Sequence, residues 1–244
     1  MNATIENQQL PSDTGPVSSA RPQRFDLYGP IHKTIRVVMS DVLVRMGKTN
    51  FANESAATRI TEDLQKLLAL CDQHIQHEVK FVHPHLAERL PNALAKIDDG
   101  HVEHDRFVAE LRSLSAGVTS APTRELRALA GSTLYLHYSA FFADTLTHMV
   151  EEERVLQPLI HRFFTDQELL GIHGAILASI PPAENFEMVC TMIPSVNGPE
   201  RADILGGVYA GAPPEAFQAL VAAIRPRLDA DEWTELLGLC PFLG

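Results

Sequence analysis

Cysteine is scarce in this chain. Its 244 residues include three, Cys71, Cys190 and Cys240, odd in number and far apart. They make no CxxC pair and point to a reducing compartment. Positive charge is also in short supply: 20 Lys and Arg stand against 31 Asp and Glu, for a net charge of −11. So acidic a chain, with no basic aromatic stretch, is not expected to hold nucleic acid by neutralising phosphates. No apolar run is long enough to span a membrane. Residues 1–25 lack the apolar stretch of a secretory signal. A cytoplasmic location is the default expectation.

Strand alternation of any length is missing too, and what remains is helical. Apolar residues make up 45% and charged residues 21%, the profile of a soluble globular protein with room for one large or two small domains. The Ser, Pro, Asn and Gln content of residues 1–24 is that of a flexible tail. From there the apolar periodicity predicts four helices over 28–47, 55–90, 99–116 and 123–164. Ile35, Met39, Val42 and Met46 share a face of the first with His32. Leu64, Leu67, Cys71, His74, Glu78 and Phe81 line the second, which Pro84 kinks and Pro91 limits. His101, His104, Val108 and Leu111 line the third. Leu134, His137, Phe141, Thr145, His148, Glu152 and Leu156 line the fourth.

A second unit is expected over 165–244. Thr165 with Glu168 forms a capping box, Asn197 and Pro199 open a helix, and Asp229 opens another. It has no cluster of histidines and acids, and no chemistry is assigned to it. The fold class is therefore all-α: an antiparallel up-down four-helix bundle over 25–164, followed by a smaller bundle of short helices.

Short connections make neighbouring helices antiparallel. His32 then lies near the start of the first helix, His74 and Glu78 late in the second, His101 and His104 early in the third, and His148 and Glu152 late in the fourth. All fall at one end of the bundle, on apolar stripes where an unpaired polar group is costly. The two HxxxE pairs carry most of the signal. Carboxylates and imidazoles on facing helices are how bundles build two-metal centres, and an N/O donor set without thiolates suits iron or manganese, with zinc as a further alternative. A metal-free buried ion-pair network is the competing reading. His137, eleven residues before His148, lies about 16 Å along the helix and is expected to pack or line an access path.

The segments "YGPIHKTIR", "HIQHEVKFVHPHL", "HVEHDRF" and "HMVEEERVLQPLI" resemble, in order and spacing, the successive ligand segments of the hemerythrin-like (HHE cation-binding) family, in its bacterial type. The likeness covers about residues 25–164. It implies two carboxylate-bridged iron ions, with His32, His74 and His148 as terminal ligands, Glu78 and Glu152 as bridges, and His104, with or without His101, from the third helix. Two departures separate this chain from the oxygen carriers of that family. The third-helix histidines are three apart where theirs are four, and the last pair is a glutamate four on where theirs is an aspartate five on. Both fit the broader bacterial group of varied activities.

The resemblance implies a non-haem di-iron protein that binds O2, NO or peroxide for sensing, storage or stress response. The alternatives are a di-iron oxidoreductase of peroxidase or ferroxidase type, or an interaction protein in which metal only stabilises the bundle. His77, His83 and His85 are expected at the surface or at helix ends. Glu151 and Glu153 are expected on a solvated face with a supporting role open to either, and Tyr28 is expected to pack, with metal ligation or hydrogen-bond donation as the alternative.

Overall fold

The computed structural model describes residues 24–89 and 95–244, without the side chains of 95–99. The tail expected over 1–24 thus falls outside the described residues, Arg24 excepted, and so does the helix limit expected at Pro91. Among the described residues every regular element is helical, and no helix is long and apolar enough to cross a membrane.

Helix α1 is Gly29–Lys48 and α2 is Glu54–His77; a π-helical turn, Glu78–Val82, carries α2 into α3, His83–Arg89. Helix α4 is Ala95–Thr119 and α5 is Arg124–Glu151; a second π-helical turn, Glu152–Leu156, carries α5 into α6, Gln157–Phe163. Helix α1 packs on α2 and α5, and α4 packs on the same two, which closes the up-down ring. The expected stripes are its inner faces. Ile35, Met39, Leu64, Leu67, Val108, Leu111, Leu134 and Phe141 meet in one buried cluster, each stabilising by roughly 1.5–3 kcal/mol relative to exposure. Tyr138 joins them, its hydroxyl donating to the Met39 carbonyl at 2.8 Å. Asn53 and Thr123 cap α2 and α5, accepting from the Ala56 and Leu126 N–H groups at 3.1 and 3.3 Å.

The two π turns have one cause. In both helices a histidine is followed four positions on by glutamate and ten positions on by proline: His74, Glu78, Pro84 and His148, Glu152, Pro158. A proline inside an α-helix lacks an N–H and collides with the carbonyl four residues back. Opening the turn by one residue relieves that collision. The residue before each proline, His83 or Gln157, donates its N–H five residues back, to the carbonyl of Glu78 or Glu152. The extra residue also turns His83 and Gln157 inward, to 6% and 8% exposure. His83 is therefore buried, against the surface or helix-end position expected for it, because a kink became a π turn.

Helix α7, Asp166–Ser179, starts at the expected Thr165–Glu168 capping box. Its Leu169 and Ile172 join Tyr28, Val82, Leu86, Leu156 and Ile160 in a second apolar cluster beyond the π turns. Arg24 ties that end together, binding Asp166 at 2.6 Å and the carbonyls of His161 and Phe164 at 2.7 Å. Helices α8 (Pro182–Met192), α9 (Gly198–Gly211), α10 (Pro214–Ile224) and α11 (Ala230–Leu239) build a third cluster around Leu205, Leu220, Ile224 and Leu236. Asn197 with Glu200 and Asp229 with Glu232 cap α9 and α11 as reciprocal boxes. Helix α8 rests against α1, and Lys33 pairs with Glu200.

At the other end of the bundle, buried Phe51 lies against Gly131 of α5. A Cβ on Gly131 would stand 2.0 Å from the Phe51 ring. Gly131→Ala is expected to lower stability by about 1–3 kcal/mol through overpacking, despite a helix-propensity gain of up to about 1 kcal/mol. Denaturant titration reads this directly; equal or higher stability would contradict the packing. Metal content should not change, since the site lies at the opposite end.

Candidate metal centre

Each π turn begins on a glutamate, and the antiparallel arrangement brings both turns to one level. Glu78 is 3% exposed and Glu152 is fully buried. Placing two carboxylates in a bundle interior costs several kcal/mol per ion unless each is compensated. Four histidines surround them. The Nε2 of His74 lies 3.1 Å from Glu78 Oε1, and the Nε2 of His101 lies 3.4 Å from Glu78 Oε2. The Nε2 atoms of His148 and His32 each lie 3.3 Å from a Glu152 oxygen, Oε1 and Oε2 respectively. The Nε2 atoms of His32 and His74 are 3.0 Å apart.

These atoms form two groups, each compact enough that all its donor atoms lie within 4.8 Å of one another: His32, His74, Glu78 and Glu152, and Glu78, His101, His148 and Glu152. Both glutamates belong to both groups. The oxygens of Glu78 and Glu152 are close to imidazole nitrogens yet lack hydrogen-bond geometry toward them. Buried carboxylate oxygens crowded by imidazole nitrogens, without hydrogen bonds to them, suit a cation, and each four-atom set of nitrogen and oxygen fits one.

The electrostatics agree. Burial, and then the charge of Glu152, push the Glu78 carboxyl well above the usual carboxylate range. Burial acts on Glu152 in the same sense, but His148 and His32 outweigh it and hold it low. The two carboxyls are thus driven apart, Glu78 toward its protonated form and Glu152 toward its carboxylate. Burial would lower His32, but Glu152 and Glu153 outweigh it and raise its pKa. Burial, and then the charge of His32, push His74 well down.

Glu153 has a specific task. Its Oε1 meets His32 Nδ1 at 2.9 Å and Arg36 at 2.6 Å. Burial opposes its ionisation, but His32 and Arg36 hold its carboxyl at about 2. An anion on Nδ1 keeps a proton there and leaves Nε2 free to face the site. The Glu151–Glu153 run shows how this could be found in sequence: one of three adjacent acids points in, and its neighbour reaches the rear of the first-helix histidine.

The structure brings six of the seven candidate residues together: His32, His74, Glu78, His101, His148 and Glu152. It places His104 apart from both groups. Three residues on from His101, His104 lies about 4.5 Å further along α4, its ring 5.3 Å from that of Phe141. Its Nε2 is 3.8 Å from Asp72, and burial lowers its pKa. His83 stacks on His101 with ring centroids 5.2 Å apart. His137 reaches outward to Glu110 at 3.0 Å. His85 is exposed and His77 half-buried. Cys71 is a buried thiol whose pKa burial and Asp72 push up to about 12.

The family model of the hemerythrin HHE cation binding domain matches residues 30–160. Among curated proteins, the chain is similar to F-box/LRR-repeat protein 5 of Salmo salar, 23% identical over 173 residues, covering 70% of this chain and 24% of that protein. It is likewise similar to F-box/LRR-repeat protein 5 of Mus musculus and of Bos taurus, each 25% identical over 158 residues, covering 64% of this chain and 22% of theirs. The chain thus spans about a quarter of the length of these curated relatives.

Gly100, just before His101, makes the closeness of α4 and α5 possible. A Cβ there would stand 2.8 Å from His148 Nδ1. Gly100→Ala is expected to displace the His148 ring and weaken metal binding. The metal-free fold should be as stable as the wild type or up to about 1 kcal/mol more so, because alanine favours the helix. Metal titration and thermal melts separate the two effects; unchanged metal affinity would show that His148 does not depend on this glycine.

Proposed function

Since the chain belongs to the hemerythrin HHE cation-binding family, we propose that it is a non-haem di-iron protein that binds a small molecule such as O2, NO or peroxide. His32 and His74 would hold one ion and His101 and His148 the other, with Glu78 and Glu152 available to both. The observation that carries this reading is the sharing of both glutamates by both donor groups. Two cations close together repel, and a buried bridging carboxylate offsets that repulsion where water cannot. Neutral imidazoles complete a nitrogen and oxygen donor set that suits iron, with manganese or zinc as substitutes. When bound, the metal pair supplies redox change and positions for a small ligand. The chain's own part is to orient His32 through Glu153, to hold the carboxylates in place on the π turns, and to keep bulk water out with the apolar cluster around Val82 and Leu156.

A turnover reading, of peroxidase or ferroxidase type, is favoured by one feature. Helix α4 offers a single histidine, His101, to the donor groups, which leaves room for a reacting molecule. Repeated turnovers with peroxide or ferrous iron would distinguish it from reversible binding.

Glu78→Gln and Glu152→Gln keep the side-chain size but remove charge and bridging ability. Each is expected to reduce metal content from about two ions per chain toward one or none. His77→Ala, on another face of α2, should leave it nearly unchanged. Metal-to-protein ratios on the three purified variants decide; an empty His77→Ala protein beside a full Glu78→Gln protein would sink the assignment.

A further inference from the structure

Tyr28 is 1% exposed, and its hydroxyl has no hydrogen-bond partner among the described residues. Its ring leans on His32, with centroids 5.3 Å apart, and packs with Val82, Leu86, Leu156 and Ile160. Val82 and Leu156 end the π turns that Glu78 and Glu152 begin. The ring therefore lies between the carboxylate level and the apolar cluster that closes the bundle. Burial, and then the charges of Glu78 and Glu152, push the pKa of the hydroxyl well up, so it stays protonated and can donate where an acceptor reaches it.

Packing alone does not call for this oxygen. Phenylalanine would fill the same space without the penalty of burying an unpartnered hydroxyl. Histidines and glutamates already supply each four-atom donor group, and the iron content of Tyr28→Phe decides whether the phenol oxygen adds to them. A molecule bound at the centre would give the hydroxyl the partner it lacks among the described residues.

We propose that the Tyr28 hydroxyl is a hydrogen-bond donor to the small molecule held at the metal pair, and so selects ligands that can accept. This rests on the two-metal reading above and adds a specificity-determining residue to it. A phenol donor favours ligands with an exposed lone pair, such as an oxygen species or a small anion, over carbon monoxide, whose bound form accepts poorly. The proposal places Tyr28 as a positioning residue toward the guest and leaves metal retention to the six groups already named.

The test compares wild type and Tyr28→Phe as full chains, each metal-free and iron-loaded, with azide as the probe anion. Tyr28→Phe is expected to retain the wild-type metal content. Its metal-free form should melt at or above the wild-type temperature, because an unpaired buried hydroxyl has been removed. In the iron-loaded form, azide should bind roughly three- to tenfold more weakly, the loss of one hydrogen bond. Unchanged azide affinity, or no azide binding to the iron-loaded wild type, would overturn the proposal. So would an equal fall in melting temperature in both forms, which marks a structural hydroxyl. Loss of iron from Tyr28→Phe would make the oxygen a ligand and also overturn it. Failure of the wild type itself to hold two ions would instead strike the two-metal reading, and this proposal with it.

Discussion

Glu78 and Glu152 face one another inside the bundle, and their charge has to be compensated. Two buried carboxylates repel across a low-dielectric interior, and the cost of desolvating them falls on the folded state. The arrangement of this end of the protein follows from that need. Four imidazoles converge on the pair, Glu153 with Arg36 fixes that of His32, and the aliphatic residues one turn on shut out water. The main bundle core, from Ile35 to Phe141, carries no such charge and acts as the rigid frame that sets the height of the site.

The backbone contributes as much as the side chains. Both glutamates open π-helical turns, and both turns answer to a proline six residues on. Single π turns inside α-helices are uncommon and concentrate at functional sites. Here they swing His83 and Gln157 inward and bring the aliphatic residues after each glutamate over the carboxylates. Gly100 makes a matching adjustment on α4, leaving the space that the His148 ring fills. On the outer side, Lys33 and Gln73, next in sequence to His32 and His74, meet Glu200 and Glu184 of the C-terminal helices. The added helices thus sit beside the two helices that carry His32 and His74.

Much of this was legible in the sequence. Apolar periodicity located the four long helices, short connections made them antiparallel, and those two facts put the two HxxxE pairs and the early histidines of α1 and α4 at one end. The Thr165, Asn197 and Asp229 caps could also be read directly. Periodicity could not separate His101 from His104, because both lie on the buried face and only axial height distinguishes them. It assigned His83 to the surface or a helix end because a helix pattern has no term for an inserted residue. The repeated spacing of histidine, glutamate and proline was the available signal, since a proline at the same offset in both helices predicts the same local distortion. The role of Glu153 and the solitary hydroxyl of Tyr28 needed three dimensions: each depends on contact between residues far apart in the chain.

X-ray absorption at the metal edge of the iron-loaded full chain tests the central claim most directly. The account predicts a shell of nitrogen and oxygen neighbours only, with imidazole scattering and a second metal within bridging distance. A lone metal with no metal neighbour, or a sulfur neighbour from Cys71, would contradict it.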